Sequence, residues 1–224
     1  MAQAPAASEV IRVFVGYDER EAAAYHVCCQ SIIENTKAQI AFYPVRGERR
    51  DGSNDFIYSR FEVPWRCGFS GFAVFLDGDM IVRADIAELA RMQRLDLGVQ
   101  CVQHDYKTKH PTKYLGHKND DYPRKNWSSV VLWNCGYYPN RRLTPEFVAT
   151  QTGSYLHRFS WLADHQIGSI PSEWNRLVLE QEIAPDDKLL HYTIGTPCFA
   201  EYADCDGADE WHAAYRRATT PARG

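Results

Sequence analysis

Phe72-Ala73-Val74-Phe75-Leu76-Asp77-Gly78-Asp79-Met80-Ile81-Val82 is an apolar run interrupted only by two carboxylates that flank a glycine. Such a run reads as a buried strand, central in a parallel sheet, because strands covered on both faces lack polar alternation. In open α/β sheets, ligands bind beyond the carboxyl ends of the strands. Acids at i and i+2 in that position offer hard oxygen ligands to a divalent cation, and Gly78 lets the backbone turn between them. Burying them unpaired would be costly, so packing alone does not account for them. Asp and Gly are also ordinary turn residues, and a solvated strand-end turn is the competing reading.

The 224 residues suffice for one domain, or one domain with a lid, and for a substantial core. A formal charge of −4 gives no reason to expect nucleic-acid binding. A phosphate-bearing ligand would need its charge offset by local groups or a metal. Aromatic residues at 13% suit carbohydrate or base stacking and core packing alike. The seven cysteines form no C-x-x-C pair, which reads as reduced thiols of a cytosolic protein. Met1 to Glu9 lacks the apolar segment of a signal peptide, and no apolar run is long enough to span a membrane. The expectation is a soluble, cytoplasmic protein with no transmembrane segment.

Ile11 to Val15 reads as the first strand, Gly16-Tyr17-Asp18 as a tight turn, and Asp18 with Glu21 as a capping box opening a helix to about Thr36. Strand, turn and helix in this order open many nucleotide-binding α/β halves. Asp18 therefore has two readings, N-cap or nucleotide contact, and Tyr17 can stack on a base. Ile40 to Val45 is a second strand, followed by a solvated polar loop from Arg46 to Asp55. Phe56 to Phe69 reads as helical, with Pro64 ending or kinking it. Its Arg60 is either a salt-bridged surface group or a fork for phosphate and carboxylate. Asp85 caps a helix from Ile86 to Leu95, and Val99 to Gln103 is a strand that delivers His104 and Asp105 to the edge of Asp77. Residues 104–127, polar, basic and broken by Pro111, Gly116 and Pro123, have the length of a lid or acceptor-binding loop. Ser128 to Asn134 is a further strand, Thr144-Pro145 starts a helix, and Tyr155 to Gln166 forms another. Ile170 to Asn175 connects to Leu189-Leu190-His191, an apolar approach ending on a metal-capable imidazole, and Asp209 to Ala218 is a surface helix.

Taken together, Asp77-Gly78-Asp79, Arg60 seventeen positions earlier, Asn134-Cys135-Gly136, Asp164, Trp174-Asn175 and His191…Gly195 resemble glycosyltransferase family 8 in order and spacing. The resemblance runs from about Ile11 to Phe199 and looks like a divergent bacterial branch. It implies an α/β fold of the A type of glycosyltransferases: one Rossmann-like nucleotide-binding domain over 10–218, with a mostly parallel central sheet flanked by helices. Tails 1–9 and 219–224 are expected to be disordered. It implies Mn2+ (or Mg2+) held by Asp77, Asp79 and His191, and a nucleoside, uridine first, held by Gly16, Tyr17 and Asp18. Arg60 and Gly78 would lie at the sugar-diphosphate, and Asn134, Gly136, Asp105 and Asp164 around the transferred sugar, with His165 beside Asp164. The family's late His-x-x-Gly-x-x-Lys-Pro-Trp reads His191-Tyr-Thr-Ile-Gly195-Thr-Pro197 here, so the diphosphate lysine is missing. Lys125, Lys188 or the backbone at Gly195 would substitute.

The implied activity is metal-dependent transfer of a hexose from a nucleotide sugar, a UDP-hexose, to an unidentified glycan or small-molecule acceptor, with retention. Asp-x-Asp after an apolar strand also marks haloacid-dehalogenase-like phosphatases, in which Asp77 would be the nucleophile and Asp79 the general acid. In that family the motif usually follows the first strand. The third reading is a non-catalytic nucleotide-sugar-binding module, favoured by the missing lysine.

Overall fold

A computed structural model describes residues 10–48 and 54–220. Tail 1–9, residues 221–224 of the other expected tail and part of the 46–55 loop lie outside the described residues. The strands are β1 (Ile11–Gly16), β2 (Ile40–Val45), β3 (Phe72–Leu76), β4 (Met80–Val82), β5 (Val99–Cys101), β6 (Val130–Asn134), β7 (Ile167–Ser169), β8 (Arg176–Leu177) and β9 (Leu189–His191). The helices are α1 (Ala22–Asn35), α2 (Val63–Arg66), α3 (Ile86–Ala90), α4 (Pro145–Thr150), α5 (Gly153–His157) and α6 (Ala208–Thr219).

The main sheet has the order β2-β1-β3-β6-β5-β7. Every strand in it runs the same way except β6, which is antiparallel to both of its neighbours. The expected mostly parallel sheet is therefore present. Pro44 is tolerated because β2 is an edge strand, where a missing N–H breaks no interior ladder. Alternation along the central strands divides the core. Phe14, Phe75, Val131 and Trp133 face a layer holding Phe61, Phe159 and Trp161. Val13, Val15, Val74, Leu76 and Leu132 face α1 and α3 through Cys28, Ile32, Ile86 and Leu89.

The run 72–82 is not one strand but two. The Asp77 N–H donates to Ser129 O at 2.9 Å, closing the β3–β6 ladder. After the Gly78 turn, β4 joins a second sheet of order β4-β9-β8. Met80 pairs with His191 there, and Tyr192 N donates to Asp79 O at 2.9 Å. The turn that carries the acids thus also switches sheets, and in doing so brings a residue more than a hundred positions later to their side. Gly78 is required for this: a Cβ would lie 2.2 Å from Gly16 O at the end of β1.

Other expectations are corrected in detail. Asp18 caps the start of the first helical segment by accepting from Arg20 N at 2.9 Å. Glu21 makes no capping box; its carboxylate accepts from the Tyr114 hydroxyl at 3.0 Å instead. Asp55 is buried rather than solvated, its N–H donating to Asp18 Oδ2 at 3.1 Å. The helix expected over 56–69 is a 3-10 turn (Ser59–Glu62) leading into the single turn of α2, which Pro64 begins rather than ends. The Tyr155–Gln166 helix shrinks to α5 and a 3-10 turn (Asp164–Gln166), with left-handed Phe159 (φ 52) between them. Asp85 caps α3 as expected, but the helix stops at Ala90. α6 is not merely a surface helix: Trp211 and Ala214 bury against Val27 of α1, Ile81 and Leu190. Among the described residues, no helix is long and apolar enough to cross a membrane.

The close approach of β1 and β3 makes Gly78→Ala destabilising. The expected loss is roughly 1–3 kcal/mol, each worth about 2–4 °C of Tm in a chain of this size. Gly136→Ala, whose methyl would meet nothing nearer than 3.6 Å, is expected to melt like the parent. Thermal unfolding followed by circular dichroism compares the two, and an unchanged Tm for Gly78→Ala would contradict the packing described.

Candidate metal centre and cleft

The turn after β3 and the end of β9 place one ligand atom each from Asp77, Asp79 and His191 within 4.8 Å of one another. His191 Nε2 lies 3.3 Å from Asp79 Oδ1 and 3.9 Å from Asp77 Oδ2. Its Nδ1 faces Asn175 Oδ1 at 3.0 Å. Asp79 Oδ1 is buried and, among the described residues, meets no hydrogen-bond donor; the nearest ring nitrogen is His191 Nε2. Burial pushes Asp77 up to about 6, with the Arg60 guanidinium opposing and the neighbouring Asp79 adding to the rise. Burial acts on Asp79 too, but His191 overrides it and holds this carboxyl below the usual range. Two carboxylates and an imidazole of fixed orientation, short of donors in a buried pocket, are a donor set that fits Mn2+ or Mg2+.

Arg60 is 3% exposed, and its Nη1 sits 2.6 Å from Asp77 Oδ1. It also donates to Ser128 O at 3.2 Å and lies over the rings of Phe56 and Phe75. The surface reading of Arg60 is thereby corrected: the guanidinium is buried, pairs with a candidate ligand carboxylate and lines the cleft over it.

A cleft of about 460 Å³ opens over the centre. Much of its wall comes from the 104–127 loop. Glu180 ties this loop down, accepting from Lys109 N at 2.7 Å, Thr108 Oγ1 at 2.5 Å and Asn119 Nδ2 at 3.2 Å. Tyr114 is a second anchor: it stacks on Phe199 and donates to Glu21, which burial and the charge of Asp79 hold well above the usual carboxylate range. Between these anchors Lys113 enters the cleft, its Nζ donating to Thr193 Oγ1 at 3.1 Å. Burial lowers this ammonium while Asp79 pulls it back up. Lys125 also lines the cleft, bonded to Asn119 Oδ1 at 2.7 Å, whereas Lys188 is paired with Glu88 and lies outside it.

The remaining expected site residues fall into three groups. Gly16 lies against Gly78 and beneath the Phe56 ring; Tyr17 packs edge-on to Tyr25; the Asp18 carboxylate is taken up by Arg20 and the Asp55 N–H. Gly195 backs onto Tyr202, where a Cβ would be 2.3 Å from the ring, and the cleft lining does not include it. Asp105 reaches the expected edge of the sheet but is exposed and outside the cleft lining.

Asn134, Gly136, Asp164 and His165 do not meet the centre at all. Because β6 is antiparallel, Asn134 pairs with Phe72 at the start of β3, and its amide donates to Leu95 O and Leu97 O at 3.1 Å. The polar residues that β6 offers to Asp77 are those before it, Ser128 and Ser129. Asp164 and His165 precede β7, which runs with β5, so they sit at the opposite edge of the sheet. The Asp164 side chain is 91% exposed and pairs with Arg124. Residues that spacing does not single out complete the cleft: Lys113, Ser128, Ser129 and His157, whose Nδ1 is 2.6 Å from Ser128 Oγ. Asn175 stands out in sequence only as part of Trp174-Asn175.

No protein-family model matches the chain. Among solved structures, the chain resembles the galactosyltransferase LgtC in complex with donor and acceptor sugar analogs (TM-score 0.62, 14% identity, covering 95% of this chain and 98% of that one). It resembles the glycosyltransferase GlyE of Streptococcus pneumoniae as well (TM-score 0.63, 12% identity, 92% and 60%). It matches the bifunctional glycosyltransferase WbbM with TM-score 0.66 and 14% identity over 96% of this chain, spanning about half, 51%, of that one. These likenesses show the A-type glycosyltransferase fold. The Arabidopsis thaliana protein CDI is 43% identical over 219 residues, covering 89% of this chain and 84% of that protein. That relative is a plant protein, which gives the bacterial placement no support. Identity of that extent shows common descent: the chain belongs to the family of the Arabidopsis protein CDI.

Proposed function

We propose that the protein is a metal-dependent glycosyltransferase that moves a hexose from a nucleotide sugar, a UDP-hexose first, to a glycan or small-molecule acceptor, with retention. The observation that supports it most is the Asp77–Asp79–His191 cluster on the floor of a cleft, on a glycosyltransferase fold. A divalent cation held by these three residues would supply Lewis acidity and offset charge on the departing diphosphate. Arg60 keeps Asp77 in place, and Lys113 is the cleft cation best placed to meet the diphosphate, in the role of the missing lysine. Tyr17 is the residue of its turn left to stack on a base. The 104–127 loop is read as the lid that chooses the acceptor. The seven cysteines are free thiols, which suits the cytoplasm.

A non-catalytic binding module remains the second reading, because Asp164, His165 and Asn134 lie away from the cleft. The phosphatase reading is weaker. Its nucleophile, Asp77, is ion-paired with Arg60 and buried, and the motif follows β3 rather than the first strand.

Mn2+-dependent release of UDP from UDP-hexoses, lost in Asp79→Ala, is the expected outcome of a hydrolysis assay. Turnover of a generic phosphate ester with nucleotide sugars untouched would overturn it, and UDP binding without turnover would favour the binding module. Lys113→Ala is expected to weaken UDP binding by about 10–100-fold, the worth of one charge-assisted hydrogen bond. Calorimetry in the presence of Mn2+ measures it. Asp77 must be ionised to bind metal, so Mn2+ affinity should fall as pH drops through about 6, by about tenfold per pH unit below it. A titration series from about pH 8 to about pH 5 checks the sign.

A further inference from the structure

A histidine can give only one ring nitrogen to a metal, and the proton on the other decides which is available. Here that decision can be traced atom by atom. His191 Nδ1 lies 3.0 Å from Asn175 Oδ1. Asn175 Nδ2 lies 2.8 Å from Ser129 Oγ, and Ser129 Oγ lies 2.7 Å from Asn126 O. The last atom, a backbone carbonyl, can only accept, so the Ser129 hydroxyl donates to it. The lone pairs of that hydroxyl then receive the Asn175 amide N–H. The amide so oriented turns its oxygen to His191, and an oxygen acceptor requires the proton on Nδ1.

Nε2 is left with a bare lone pair facing Asp79 Oδ1 at 3.3 Å. Two acceptors opposed in a buried pocket repel each other unless a cation lies between them. Asn175 is fully buried, in the corner between the 3-10 turn Ser172–Trp174 and β8. Ser129 serves both sides of the centre, since its carbonyl also receives the Asp77 N–H at 2.9 Å. The far end of the chain is Asn126, a residue of the 104–127 loop held in the left-handed region at φ 61.

We propose that Asn175, seated by Ser129, is the positioning residue that fixes His191 as its Nδ1–H tautomer and presents Nε2 to a divalent cation. The inference rests on the metal-dependent reading above. It goes further by assigning the outer partner on which the ligand geometry depends, a kind of residue whose loss costs about 10–100-fold in metal affinity.

The test combines two measurements on the full chain: long-range 1H–15N spectra of the metal-free protein at alkaline pH, and Mn2+ titration followed by electron paramagnetic resonance without any nucleotide. The parent protein is expected to carry the proton on His191 Nδ1. Asn175→Asp keeps an oxygen acceptor, so it should retain both that tautomer and Mn2+ binding. Asn175→Leu removes the acceptor; the proton should move to Nε2, against Asp79, and Mn2+ affinity should fall by about 10–100-fold. A parent protein with the proton on Nε2, or a folded Asn175→Leu that binds Mn2+ like the parent, would overturn the role of Asn175. If Asn175→Leu does not fold, the tautomer of the parent decides alone. A parent protein that binds no Mn2+ would instead overturn the metal site on which the inference rests.

Discussion

Two carboxylates drawn out of water within one turn, Asp77 buried and Asp79 partly so, are the constraint on which this molecule depends. Removing Asp77 and Asp79 from water carries a large desolvation cost unless cations or donors face them. The fold brings groups to the two acids from three separate places in the sequence: Arg60 from the 3-10 turn before β3, His191 from the end of β9 and Lys113 from the 104–127 loop. The Ser129 carbonyl accepts the Asp77 N–H and so fixes the backbone between them. The sheet switch at Gly78 makes this convergence possible, because β4 carries the chain out of the main sheet to pair with β9. Core and site are therefore not separable here: the residues that close the β3–β6 ladder also seat the candidate ligands.

The cleft follows from the same arrangement. Its floor is rigid, built on strand ends packed against two faces of core. Its wall is a loop tied by Glu180 and by the buried Tyr114–Glu21 contact, with Lys113 between the two anchors. Loops tethered over a packed scaffold are where one fold can carry different specificities. The remote likeness to LgtC, GlyE and WbbM shows the fold alone, and CDI is nearer in sequence than these three.

What the residues reveal in advance divides along physical lines. Apolar runs and strand-end acids are local signals, so β1, β3, the Asp77–Asp79 turn and the apolar approach to His191 are legible from sequence. Strand direction is not local. Nothing in the periodicity of Ser128 to Asn134 says that β6 runs backwards, and that reversal carries Asn134 and Gly136 to the wrong edge and brings Ser128 and Ser129 to the right one. Asp164 misleads for a related reason, since it precedes the short β7 instead of following a strand. Lys113 is silent in sequence, and Asn175 shows there only as part of Trp174-Asn175, because their positions come from tertiary placement: one reaches into the cleft from an irregular loop, the other occupies a buried corner. The family pattern points to a missing lysine after Gly195, and a cation arrives from elsewhere in the chain.

The most direct test of this account is anomalous scattering at the manganese edge from crystals soaked with Mn2+ and UDP. A single strong peak bounded by Asp77, Asp79 and His191, with diphosphate density on the side of Lys113, is the predicted result. No peak between those three side chains, with UDP bound elsewhere or not at all, would contradict it.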